Sequence, residues 1–268
     1  MNYRSQAIKL FTDKTKYKPN DIIFCRPIHK GFTNVSFKIK CKDKTQYQIR
    51  IGNDKNKVNR QNEWNVYKII KFSYFIYYDK KNGNAIKKWI NGTNPTYKQV
   101  CSMSFLKSFV KSLKTLHKIK TTHVLKHNYW DCFAKSKLPP KHENAYVNLV
   151  KSYENVEFVL SHNDLSPNNL IYIHDNQVIF IDYEWARLNN EYWDIANFIR
   201  EVDLPIKWIK ILCKLLQINN LNKLLTFVYL ATNYAYQWTF NMPLTNKIKK
   251  YRQITYRKLE KYFKYIKS

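Results

Sequence analysis

The stretch His162-Asn163-Asp164-Leu165-Ser166-Pro167-Asn168-Asn169, followed by Ile179-Phe180-Ile181-Asp182-Tyr183-Glu184, decides how the rest of the chain reads. It sets a carboxylate at Asp164, a carboxamide five residues on at Asn169, and a second carboxylate thirteen residues later at Asp182. Asp182 ends an apolar run with strand character. An Asp in a tight loop can accept the proton of an attacking hydroxyl. An Asn oxygen and a second carboxylate suit a hard divalent cation such as Mg²⁺. Pro167 fixes one backbone angle between them. His162 reads as a structural hydrogen-bonding residue, since Asp164 already fills the role of base.

The first half matches H-x-D-x-x-x-x-N and the second supplies an Asp at a strand end, in the order that phosphoryl transfer from a nucleotide requires. Asp182 is followed by Tyr183-Glu184 with no glycine, and no A-P-E follows. A D-F-G and a later A-P-E are expected of a kinase acting on proteins. The pattern therefore points to a small-molecule kinase with a rigid site, using ATP and Mg²⁺.

The surrounding charge agrees. The 268 residues carry 47 Lys and Arg against 19 Asp and Glu, a formal net charge of +28. Ten of the acids fall within 154–203, where Arg187 and Arg200 are the only basic residues. A drift toward lysine would not spare one window. Carboxylates held so close are expected to need a cation among them. They alternate with apolar residues, as in Trp193-Asp194-Ile195-Ala196, so they belong near a core and not on a solvated tail. The positive excess itself suggests a phosphate-rich partner, but only 8 of the 47 basic residues are Arg. Arg supplies the bidentate fork of nucleic-acid readers. The lysine coat is the composition of a solvated surface, and no specific nucleic-acid partner is expected. The rival from another class is a basic nucleic-acid-binding protein on a decayed kinase fold. It predicts an eroded site, whereas Asp164, Asn169 and Asp182 are all present.

Outward from the motif, Val35–Ile39 and Tyr47–Ile51 alternate as strands about a turn at 42–45. Residues 58–70 have helical spacing, and 70–78 and 85–90 read as strands. Beyond Gly92 there is no glycine. Helices are predicted at 103–118, 204–230 and 246–267, with strand–loop–strand over 156–183. The fold class is α+β: a protein-kinase-like two-lobed fold. A small N-terminal antiparallel sheet plus helix (1–91) would bind nucleotide, and a larger, mostly helical lobe (92–268) would carry catalysis and substrate. Five widely spaced cysteines with no C-x-x-C argue against a disulfide framework. No apolar run suits a signal peptide or a membrane span. The expected location is the cytoplasm.

With these residues in hand, the sequence resembles the choline/ethanolamine kinases, aminoglycoside-phosphotransferase-like enzymes within the protein-kinase-like group, and especially the short bacterial choline kinase type. The resemblance rests on Asp182, Glu184, Asn189, Asp194-Ile195, Asn197 and Glu201 at the family's spacing. It rests also on Gly31-Phe32-Thr33-Asn34, Arg50-Ile51 and Asn59-Arg60-Gln61-Asn62-Glu63. Lys30 stands where the family's glycine loop has its first Gly, and Ser166 where a Gln is common. The resemblance implies Asp164 as catalytic base and Asn169 and Asp182 as Mg²⁺ ligands. It implies Arg50 on the ATP phosphates, oriented by Glu63. Gly31, Thr33 and Asn34 would lie over the phosphates, and Lys88, Trp89 and Ile90 beside adenine.

It also implies a small-molecule amino alcohol as substrate. Choline has no N–H to donate and is held by aromatic faces and a carboxylate. Glu201 is the implied carboxylate. Glu184, Trp185, Trp193, Tyr236 and Trp238 are further candidates, although an aromatic stripe in a chain with 16% aromatics also reads as core. An aminoglycoside, as a polycation, would need several carboxylates, and from 204 to 268 the only acid is Glu260. Ethanolamine stays open beside choline.

Overall fold

The computed structural model describes residues 2–28, 34–52, 58–135, 137–153, 156–173 and 177–266. The chain separates into two units. One comprises Met1–Thr93 together with Tyr183–Trp185; the other comprises Asn94–Asp182 and Ala186–Ser268.

In the first unit, α1 (Tyr3–Lys14) precedes β1 (Ile22–Ile28), β2 (Val35–Cys41) and β3 (Gln46–Ile51). Then come α2 (Arg60–Ile69), β4 (Phe75–Tyr78) and β5 (Ala85–Lys88). The sheet is antiparallel throughout, in the order β1-β2-β3-β5-β4. Alternation sends Phe37, Ile39, Ile49 and Ile51 to one face, where Ala7 and Phe11 of α1 cover them. Arg50, between Ile49 and Ile51, therefore belongs to the opposite face and reaches α2. The 70–78 strand expectation is too long. Lys71 takes a left-handed conformation (φ 52°) that turns the chain after α2, and pairing starts only at Phe75.

The second unit contains α3 (Tyr97–Val100), α4 (Met103–His117), α5 (Pro140–Tyr153) and α6 (Tyr192–Val202). It ends with α7 (Ile206–Leu216), α8 (Leu221–Trp238) and α9 (Asn246–Phe263). Two short ladders lie among them: β6 (Val159–Ser161) with β9 (Arg187–Asn189), and β7 (Leu170–Ile173) with β8 (Gln177–Phe180). The helix predicted over 204–230 is two helices. Gln217 adopts a left-handed cap (φ 62°), with Ile218 N–H on Cys213 O, and Asn220 caps α8 by accepting Lys223 N–H. Periodicity runs unbroken through that stretch; the caps stop the helix. Its core is an aromatic stack in which Phe109 lies 4.3 Å from Phe198 and 5.6 Å from Phe180.

Among the described residues no helix is long and apolar enough to cross a membrane, and all five cysteines are free thiols. Phe109 is fully buried. Phe109→Ala should cost about 3–5 kcal/mol by opening a cavity beneath β8, read as a lower urea midpoint with an unchanged slope.

Candidate active site

The β7–β8 hairpin sets the spacing of the motif in space. Leu170 pairs with Phe180, so Asn169 and Asp182 flank the same open end, and Ile181 N–H donates to Asn169 O at 3.0 Å. Before the hairpin, Asn169 Nδ2 donates to Asp164 Oδ2 and to Asp164 O, both at 2.8 Å. The amide nitrogen is thus committed, and the Asn169 oxygen is the atom it can offer to a cation. Asn94 Nδ2 lies 2.8 to 3.1 Å from the carbonyls of Leu170, Asn168 and Pro167 and ties down the far side of the loop.

The loop hangs on one buried carboxylate. Asp194 on α6 accepts the amides of His162 (2.9 Å, Oδ2) and Asn163 (2.8 Å, Oδ1), and lies 3.1 Å from His117 Nε2. Asn163, held at φ 64°, is fixed further by Asn197 Nδ2 on its carbonyl (2.9 Å) and Asn189 Nδ2 on its side chain (2.8 Å). His162 is fully buried. Burial pulls its pKa down, against the pull of Asp194, so the ring is neutral. Only an N–H can bond a carbonyl, so Nε2–H donates to Ile181 O at 2.8 Å, and Nδ1 faces the Asp164 amide at 3.4 Å. His162 therefore joins the loop to the strand end that carries Asp182.

Several acids of 154–203 pair individually with bases, where the sequence led to the expectation that they gather around a cation. Glu157 meets Lys120, Asp203 meets Lys261, and Glu201 meets Arg200. Among the described residues no three His, Cys, Asp or Glu side chains cluster as a metal site. Asn169 and Asp182 are hard oxygen donors at one hairpin end. They fit Mg²⁺ whose other ligands come from phosphates and water.

In the first unit, Arg50 donates to both Glu63 oxygens (2.6 and 3.1 Å) and through Nε to Gly83 O (2.9 Å). Arg60 joins from α2. Its Nη1 reaches Glu63 at 2.8 Å and Glu184 at 3.2 Å, and its Nη2 donates to Asn34 at 2.8 Å. Asn34 Nδ2 closes the circuit on Glu184 at 2.7 Å. Burial alone would raise the Glu63 pKa, but Arg50 and Arg60 outweigh it and hold it at about 2, below the usual 4.5. Gly83 has φ 76°, and a Cβ there would stand 2.3 Å from Arg60 Nε. Gly31 and Thr33 lie outside the described residues. The amides of Lys88 and Trp89 bond Tyr74 O and Gln46 O, and Lys38 stands 3.9 Å over the Trp89 ring; Ile90 is half-buried.

The proposed substrate residues divide. Glu184 and Trp185 belong to the first unit, and Glu184 works there as the partner of Arg60 and Asn34. Trp193 is core, packed on His127 (4.7 Å) and Tyr129 (5.3 Å). Tyr236 packs on Phe240 and Tyr256. Glu201 and Trp238 do come together, through Tyr251. Tyr251 donates to Glu201 at 2.8 Å and meets the Trp238 ring edge-on at 6.3 Å. Arg200 bonds the same Glu201 oxygen at 2.6 Å and Asn197 at 2.8 Å, so it reaches both the carboxylate and the helix that holds the loop. Asp194, Arg60, Gly83, Arg200 and Tyr251 join these contacts although the sequence alone gave them no role; Asp194 is met there only in the D-I match and Arg60 only in the N-R-x-x-E match.

The choline/ethanolamine kinase family matches residues 25–263. An uncharacterised protein of Mycoplasma pneumoniae, the MG356 homolog, is 32% identical over 97% of this chain and 94% of its own length. Among solved structures, the choline kinase LicA of Streptococcus pneumoniae superposes with a TM-score of 0.73 at 15% identity, over 92% of this chain and 94% of that one. LicA in complex with AMP gives 0.76 at 15% identity, over 98% and 99%. The fold is protein-kinase-like and its site is that of a phosphotransferase. The chain belongs to the choline/ethanolamine kinase family.

Two outcomes test the geometry. Asp194→Ala strands two buried amides at once, so it should destabilise by about 2–5 kcal/mol and abolish turnover together, measured by urea unfolding and ADP release. Because the Glu63 pKa is depressed, its ion pairs stabilise the fold above pH 4.5 and lose that contribution as pH falls toward 2. Urea-unfolding stability should therefore fall more steeply over that window in the wild type than in Glu63→Gln.

Proposed function

We propose that this protein phosphorylates the hydroxyl of choline at the expense of ATP, yielding phosphocholine and ADP. The observation that carries the reading is the Asp164–Asn169 hydrogen bond in a loop pinned by Asp194. It holds one carboxylate oxygen in place and keeps Asp164 aimed while a proton is transferred to it. Asp164 accepts the hydroxyl proton as the oxygen attacks the γ-phosphorus. Asn169 and Asp182 would hold Mg²⁺, which when bound neutralises charge on the phosphate oxygens. Arg50, kept in one rotamer by Glu63 and Gly83 O, is the guanidinium for the nucleotide phosphates.

Glu201, Tyr251 and Trp238 form the cluster that suits an ammonium: a carboxylate beside two aromatic rings. Arg200 already neutralises part of Glu201. That leaves room for a single positive charge and argues against a polycation such as an aminoglycoside.

ADP release with Mg²⁺ across choline, ethanolamine, thiamine and an aminoglycoside tests the substrate. The highest kcat/KM is expected with choline, and a clear preference for ethanolamine would replace it. Asp164→Ala should lose at least about a hundredfold in kcat with an unchanged urea midpoint. Trp238→Ala should raise the KM for choline by about tenfold and leave the KM for ATP in place. Equal effects on both would remove Trp238 from the pocket.

A further inference from the structure

Two adjoining helices of the second unit carry lysine rows on faces that the phosphotransfer site does not use. On α4 and its C-cap, Lys107, Lys111, Lys114 and Lys118 follow one another at helical spacing, and all are exposed. On α7, Lys207, Lys210 and Lys214 do the same. The helices pack together, and Lys114 Nζ donates to Leu215 O at 3.2 Å. Neither helix contains Asp, Glu or Arg.

Apolar side chains stand exposed among these lysines. Ile206 is 48% exposed and Met103 44%. Trp208 is half-buried, with Lys207 Nζ 6.0 Å over its ring. Tyr97, at the start of α3, is 58% exposed. Ile206, Met103 and the half-buried Trp208 place aliphatic and indole surface within the lysine face. A nucleic-acid surface would draw on arginine forks, and these helices have none. Lysines bracketing a Trp and an Ile on an amphipathic helix suit a membrane interface. There the apolar groups enter between headgroups and the lysine stems reach up to the phosphates.

We propose that α7, flanked by α4, docks this protein on an anionic phospholipid surface. Ile206 and Trp208 enter the interface, and Lys207, Lys210 and Lys214 meet the lipid phosphates. The source of anion is the bilayer headgroup, since free phosphate offers nothing for Ile206.

The test is co-sedimentation of the full chain with vesicles of phosphatidylcholine alone and of phosphatidylcholine mixed with phosphatidylglycerol. Binding is expected only to the mixture, weakening as salt rises. K207E/K210E/K214E should bind at least about tenfold more weakly, and K207Q/K210Q/K214Q should also weaken. Ile206→Ser should weaken binding with no change of charge. K249E/K250E/R257E, an equal charge change on exposed positions of α9, should keep it. Unchanged ADP release shows that each variant is folded. The proposal fails if the wild type ignores anionic vesicles, if the α9 variant loses as much as the α7 variant, or if Ile206→Ser binds like the wild type. It fails equally if duplex RNA binds more tightly and the same α7 changes abolish that binding.

Discussion

The carboxylate of Asp194 is the contact on which the catalytic half of the molecule depends. It is fully buried, and it accepts the consecutive amides of His162 and Asn163. Asn163, the second of these two residues, lies in the left-handed region at φ 64°. A non-glycine residue there is uncommon. Three side chains from outside the loop hold it: Asp194, Asn189 and Asn197. Asp164 follows directly, so its position is set by α6 and β9 and not by the loop's own preferences.

The first unit rests on a different arrangement, two guanidinium groups and two carboxylates taken out of water together. Buried charges of this kind are costly unless every partner is present. Here Glu63 accepts from Arg50, Arg60 and Tyr78, and Arg60 passes on to Glu184 and Asn34. The consequence is rigidity at Arg50. Its guanidinium has both Glu63 oxygens and the Gly83 carbonyl as fixed partners. Gly83 supplies that carbonyl and, lacking a Cβ, leaves the space that the Arg60 side chain fills.

Much of this was legible in the chain. The Asp164–Asn169–Asp182 spacing survives folding because it lies in one continuous loop and hairpin, where register is a local property. The pairing of Arg50 with Glu63 was implied by the family resemblance, and the two side chains meet at 2.6 Å. Asp194 and Arg60 were present in recognisable patterns yet carried no role. Their partners lie 31 and 124 residues away in the chain. Trp193 has the composition of a ligand-binding residue and the burial of a core one, a distinction no periodicity makes. The break at Gln217 likewise escaped, since left-handed caps are usually glycine and this one is not.

The net charge of +28 and the acid-rich window are properties of the sequence. What the window does is a matter of tertiary structure. Some of its acids find bases brought from other helices, as Asp194 does at His117 and Asp203 at Lys261, and Glu184 serves the unit in which Arg50 lies. The sequence by itself determined the order and spacing of Asp164, Asn169 and Asp182 and the α+β class, because spacing within one loop and alternation along one strand are local. Only the tertiary structure decided which carboxylates are occupied, which aromatics are core and what holds Asp164 in place. Those depend on contacts between segments far apart in the chain, and one chain read in order does not reveal which distant segments meet.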